Sequence, residues 1–186
     1  MVKSVLENVD IEVAVMVRPT SKSFCYDRHY LDVMKRDAEL FQEAGAKRIV
    51  IGILDKDGNV NTDALDYVLE NINIDVTFHR AIDESKNIIE STKKLNSCKK
   101  VTHILTSGGP GKAVEHLDTI KKMIEISEKR IMIGSGLNLD VLEEIKKELP
   151  LEEFTYDIHF GTYVQNENGV VVPEKVSRIA EEYNLK

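Results

Sequence analysis

The sequence has few cysteines, no apolar run long enough for a membrane span, and no excess of positive charge. Two cysteines stand among 186 residues, and Cys25 and Cys98 lie far apart with no metal-site spacing between them. That usage reads as a reduced intracellular protein with a cytoplasmic location. No stretch approaches the roughly twenty apolar residues of a spanning helix. The opening MVKSVLENVDIEVAVMV is an acidic amphipathic segment, without the basic patch, apolar stretch and small-residue cleavage site of an export signal. A formal charge of −7 sets a repulsive field against nucleic-acid backbones and anionic membranes, so neither is an expected partner, and only a local basic pocket could hold an anion.

Several catalytic signatures are missing too. No G-x-G-x-x-G follows the first apolar run, which weakens a dinucleotide-binding fold. There is no G-x-S-x-G elbow, and no lysine stands at a strand end as a Schiff-base candidate. The five histidines, His29, His79, His103, His116 and His159, show no i to i+4 pairing for a metal.

What is present is a run of βα units. IEVAVMV, RIVIGIL, IDVTFH, VTHILT, RIMIG and FTYDIHF read as strands, and most are apolar on both alternating faces, as in parallel sheets. The segments between them have helical spacing. Asp27 is placed to cap a helix carrying Leu31, Met34, Ala38 and Phe41, with Gly45 at its end. Thr62 is placed to cap the next, with Leu65, Val68, Leu69 and Ile72 inward. Further stripes are Ile88, Ile89, Thr92 and Leu95, then Val114, Leu117, Ile120 and Ile124, then Val141, Leu142 and Ile145. Pro173 suits the first turn of a last helix bearing Val176, Ile179, Ala180 and Tyr183. The methionines Met16, Met34, Met123 and Met132 fall on packing positions. The length and composition predict a single domain over residues 1–186. The favoured fold class is α/β, a TIM-type (β/α) barrel, incomplete, with about six βα units where a full ring has eight.

In such a fold chemistry gathers after the carboxyl ends of the strands. There stand Arg18, then Asp55, Asp57 and Gly58, then His79, Arg80 and Asp83, then Thr106, Ser107, Gly108 and Gly109, then Gly134, Ser135 and Gly136, and finally His159 and Gly161. Strand alternation puts Val76 and Phe78 towards the helices and Thr77 and His79 towards the mouth. Among these residues His79 is the acid–base candidate, because an unperturbed imidazole titrates near neutrality. Arg80 either reaches over the rim or pairs with Asp83, and such a pair has a purely structural reading as a loop-fixing salt bridge. The turns LTSGGPGK and IGSGLN offer backbone amides to an anion such as phosphate, although short turns need glycine for backbone reasons alone. Cys25 reads as a free loop thiol and Cys98 as an inert helix-end residue.

The strings VMVRP, FCYD, IGILDKDGNVN, VTFHRAID and ILTSGG, in this order and spacing, resemble the CutC family, whose members carry MIRP, F-x-Y, G-x-L-x-x-D-G, FHRAFD and LTSGG. The resemblance implies a TIM-type barrel in a cytoplasmic protein associated with copper homeostasis. It carries pocket motifs onto Arg18, Phe24, Tyr26, His79, Arg80, Asp83, Thr106, Ser107, Gly108 and Gly109. Three departures stand out. The family's R-P-R-G-G-D-F becomes Arg18-Pro19-Thr20-Ser21-Lys22-Ser23-Phe24, losing an arginine, both glycines and an aspartate. The glycine-rich M-P-G-G-G turn becomes Ile133-Gly134-Ser135-Gly136-Leu137, and F-H-G becomes His159-Phe160-Gly161. The strands with E-x-C-V and R-I-E-L-C, which hold the cysteines proposed as copper ligands, have no counterpart in this sequence. Copper is the cofactor that the resemblance implies, and the ligands proposed for it are missing here. An incomplete ring would expose two strand edges, so self-association as a homodimer or larger assembly is expected. Three functions compete: a CutC-like copper-homeostasis protein, an enzyme on a small phosphorylated or carboxylated metabolite, and a non-catalytic barrel remnant.

Overall fold

A computed structural model describes residues 1–182. Six strands alternate with helices: α1 (Val2–Leu6), β1 (Ala14–Met16), α2 (Arg28–Glu43), β2 (Arg48–Ile51), α3 (Thr62–Val68), β3 (Asp75–Phe78), α4 (Ile88–Asn96), β4 (Val101–Thr106), α5 (Leu117–Ile126), β5 (Arg130–Gly134), α6 (Leu139–Glu148), β6 (Tyr156–His159) and α7 (Pro173–Glu182). The sheet order is β1-β2-β3-β4-β5-β6, with every neighbouring pair parallel. A doubly wound sheet reverses its strand order at a switch point. This one never reverses, and right-handed crossovers in one direction place the helices on a single side. The architecture is the α/β type expected of a TIM-type barrel, with the ring open between β6 and β1.

Caps and periodicity account for the helices. The Asp27 carboxylate accepts from the Tyr30 amide at 3.1 Å, starting α2, and Gly45, at φ 99°, ends it in the left-handed region where glycine is unstrained. Helix α3 is capped by Asn61, not by Thr62: the Asn61 side chain accepts from Ala64 N at 3.0 Å. Either oxygen-bearing residue suits an N-cap, and Asn61 is the one with non-helical backbone. In α7, Ile179 is buried while Val176 is 44% exposed, so the predicted stripe is narrower than its apolar residues. Tyr183, assigned to the same stripe, lies outside the described residues.

The two faces of the sheet differ. Ile49, Ile51, Val76, Phe78, Ile104, Ile131 and Ile133 are buried in the core with Met34, Ala38, Leu65, Val68, Leu95, Ile120, Met123 and Ile145 of the helices. The opposite face carries Arg48, Val50, Thr77, His103, Leu105, Met132 and Asp157. On it Thr77 is buried, but Val50, Leu105 and Met132 are only half-buried and Met16 is 51% exposed. Met16 is therefore not a packing residue within this chain. None of the helices among the described residues is long and apolar enough to cross a membrane. Replacing the fully buried Met34 by alanine should cost about 3 kcal/mol in urea unfolding, whereas Met16→Ala should stay within about 0.5 kcal/mol.

Candidate functional site

Strand β3 ends at Phe78, and His79 continues in extended backbone as the cap of a short 3₁₀ turn, Arg80–Glu84. Arg80 thus belongs to that turn and not to the strand. The Ala81 amide donates to His79 Nδ1 at 3.1 Å. An Nδ1 that accepts leaves the proton of the neutral ring on Nε2. The ring is 4% exposed and packs against Phe24, with ring centroids 5.0 Å apart. It also lies directly over Gly52, where an added Cβ would sit 2.3 Å from His79 Nδ1. Glycine at the end of β2 makes room for the imidazole, and this is the one site-forming residue that the sequence reading passed over. Its signal was a glycine inside an otherwise β-branched run.

Among the described residues, two buried side-chain polar atoms have no partner within hydrogen-bond distance, His79 Nε2 and the Tyr26 hydroxyl, although the Arg18 guanidinium is near enough to the Tyr26 oxygen to act on it as a donor. Above them stands the exposed Arg18, whose guanidinium carbon is 4.3 Å from the centre of the Phe24 ring. Burial pushes the His79 imidazole down to about 4, and the Arg18 charge adds to that effect. Burial likewise raises the Tyr26 phenol, with Arg18 working in the opposite direction. Arg18, Tyr26 and His79 therefore form one electrostatic unit. It presents a cation and two neutral donors, and each unsatisfied buried donor costs about 1–3 kcal/mol.

Arg80, Asp83, Thr106 and Ser107 form a second group with the opposite character. The buried Asp83 carboxylate accepts from Arg80 Nε at 2.8 Å, Thr106 Oγ1 at 2.5 Å, Ser107 N at 3.1 Å and Ser107 Oγ at 2.8 Å. Gly108 N donates to Thr106 Oγ1 at 2.8 Å. Arg80 Nη2 also reaches Ser107 Oγ at 2.8 Å and Gly111 O at 3.2 Å. The same carbonyl accepts from Ser135 Oγ at 2.9 Å, and Ala113 N donates to Ser135 O at 3.2 Å. The two glycine-rich turns are thereby tied together, with Ser135 held at φ 84°. Gly109 bounds the first turn, lying against the His116 ring, and Gly136 packs on Lys112. The exposed His159 stands beside Gly134 at the end of β5.

Lower on the open face, Arg48 pairs with Glu12 at 2.6 Å and Asp75 at 3.3 Å and meets His103 Nδ1. Asp157 joins His103, at 3.7 Å, to Arg130, at 2.8 Å. This layer lies at the amino ends of the strands, where a barrel keeps structural residues.

With this geometry in place, comparison with known proteins is informative. The CutC family model matches residues 1–156. The chain belongs to the CutC family. It is 32% identical to the copper homeostasis protein cutC homolog of Dictyostelium discoideum, over 82% of this chain and 64% of that protein. It is 34% identical to a CutC family protein of Treponema denticola, over 89% and 66% of the two chains. A crystal structure of a CutC protein from Streptococcus agalactiae superposes with a TM-score of 0.75 at 25% identity, covering 85% of this chain and 78% of that one. The chain spans roughly three-fifths of the length of the curated CutC relatives it matches, between 57% and 64% for three of them.

The name of the Dictyostelium relative raises the question of copper, and the donor set here does not fit that metal. Cu(I) favours thiolate and thioether ligands. Cys98 is buried behind α4 with its thiol pushed up by burial, and Cys25 is exposed. Among the described residues no three His, Cys, Asp or Glu side chains converge as a metal site.

Two outcomes follow from the geometry. Asp83→Ala strips the acceptor from four donors and should lower stability by about 3 kcal/mol or more, with Asp83→Asn recovering part of it. His79 is neutral when folded near pH 7, while the unfolded chain protonates it below about 6.5. Its contribution is thus complete above 6.5 and lost as pH falls towards 4, by about 3 kcal/mol. Urea unfolding at pH 7 and 4.5 measures this loss. His79→Asn, which keeps an acceptor for Ala81 N, should flatten the dependence while the His103 and His159 contributions, of the same sign, remain.

Proposed function

We propose that this CutC-family chain binds a small anionic metabolite at the mouth formed by Arg18, Tyr26 and His79, in the reduced setting of the cytoplasm. The observation that supports this most directly is the pair of buried donors, Tyr26 O–H and His79 Nε2–H, left without partners beneath one guanidinium. A ligand with acceptor oxygens would satisfy both. Two unpaired thiols suit that compartment.

On this reading His79 acts as a fixed electrophilic donor. With its imidazole held near 4, it is a poor base at neutral pH but a well-placed N–H for an oxygen that gains negative charge. The copper homeostasis named for the relatives would be served in this chain through its ligand and not by direct coordination of the metal.

Calorimetric titration with acetate and inorganic phosphate tests the proposal. At least one of these anions should bind, and Arg18→Ala and Tyr26→Phe should each weaken that binding about tenfold, the loss expected for about 1.4 kcal/mol. In the wild type the His79 Nε2–H resonance should move on binding. Unchanged affinity in both variants would remove the pocket.

A further inference from the structure

We infer that the group recognised at this pocket is a singly charged carboxylate, gripped by the Arg18 fork together with Tyr26 O–H and His79 Nε2–H, and not a phosphate. The inference rests on the pocket reading above and narrows it to one ligand class.

Charge is the first argument. Among the described residues Arg18 is the cation beside both Tyr26 and His79, its guanidinium carbon 4.3 Å from the centre of the Phe24 ring against which His79 packs, and the imidazole itself is neutral. The pocket therefore offers one positive charge, which matches a carboxylate one to one and leaves a phosphate dianion half compensated. A second cation is near in sequence but already engaged: Arg80 is held by Asp83, Ser107 and Gly111.

Donor count is the second. An ionised carboxylate has about four lone-pair positions and accepts a guanidinium through two parallel N–H bonds. Two N–H groups of Arg18, whose Nη2 also reaches the Ser21 carbonyl at a long 3.4 Å, one from His79 and one O–H from Tyr26 match those positions in number.

The third argument concerns the glycine turn after β4, one of the two turns whose amides could meet a phosphate. Here the Ser107 amide donates to Asp83 and the Gly108 amide to Thr106. The first amides of that turn are therefore already engaged within the chain, by Asp83, itself paired with Arg80, and by Thr106, and are not open to a phosphate.

The experiment uses the whole chain at pH 7 and matched ionic strength, with acetate, inorganic phosphate and sulfate as probes. Acetate should bind at least tenfold more tightly than either inorganic anion. Arg18→Lys, which keeps the charge and loses the fork, should weaken acetate about tenfold. Arg18 is exposed, so this variant and Arg18→Ala should keep the wild-type Tm; Tyr26→Phe, which removes one donor, gives a second readout. Tighter phosphate or sulfate binding that disappears in Arg18→Ala overturns the carboxylate inference and leaves the pocket standing. Acetate binding unchanged in Arg18→Lys overturns the fork. If Arg18→Ala and Tyr26→Phe alter no probe, the pocket and the inference fall together.

Discussion

The direction of the crossovers governs everything else in this molecule. Six parallel strands added in sequence order, each joined to the next by a crossover of one hand, leave the helices no choice of side. One face of the sheet becomes the dry core, and the other remains the lining of an open ring. The same constraint brings the carboxyl ends of β1, β2 and β3 together. That is how Arg18, Gly52 and His79, separated by sixty residues of chain, come to share one small volume.

Around that volume two kinds of polar burial occur, one satisfied within the chain and one not. Asp83 is saturated by the side chains and amides around it, so burying its charge is compensated and the mouth of β3 and β4 is locked. His79 and Tyr26 are comparably buried, and the His79 Nε2–H and the Tyr26 O–H have no acceptor within the described residues. Folded chains satisfy nearly all buried donors, and this unsatisfied pair beside a cation is what supports the proposed ligand site. The Gly52 backbone is part of that site, because any side chain there would displace the imidazole.

Much of this was legible in the sequence because the relevant signals are local. Apolar runs without alternation predicted a parallel sheet, and Asp27 and Gly45 marked the limits of α2. The strand-end rule collected Arg18, His79, Asp83 and Ser107 before any coordinates. Partition of those residues was not legible, since it depends on distances across the mouth. The Arg80–Asp83 pair was one of two open readings; the ion pair forms, and Thr106 and Ser107 also donate to Asp83. Met16 reads as core from its strand and is exposed because its side chain points into the open ring, a fact of topology and not of pattern. The ion-pair layer of Arg48, His103, Arg130 and Asp157 was hidden for a related reason: its members stand at the amino ends of four strands and are unremarkable one by one.

The depressed imidazole also bears on how the pocket would respond to its ligand. Burial and Arg18 both favour the neutral ring, and an anion seated beneath Arg18 offsets the second of these causes while deepening the first. The two changes oppose each other, and the ring without a ligand, held near 4, is already an N–H donor over the physiological range. A donor whose protonation does not change on binding needs no rearrangement when charge grows on the oxygen it faces. Had the histidine kept an ordinary imidazole near neutrality, anion binding would have drawn a proton onto it, and affinity would have drifted with pH where the cell varies most. Depth, glycine clearance and a single neighbouring cation together hold it as a fixed dipole, which makes burial the source of the pocket's chemistry as well as of its stability cost.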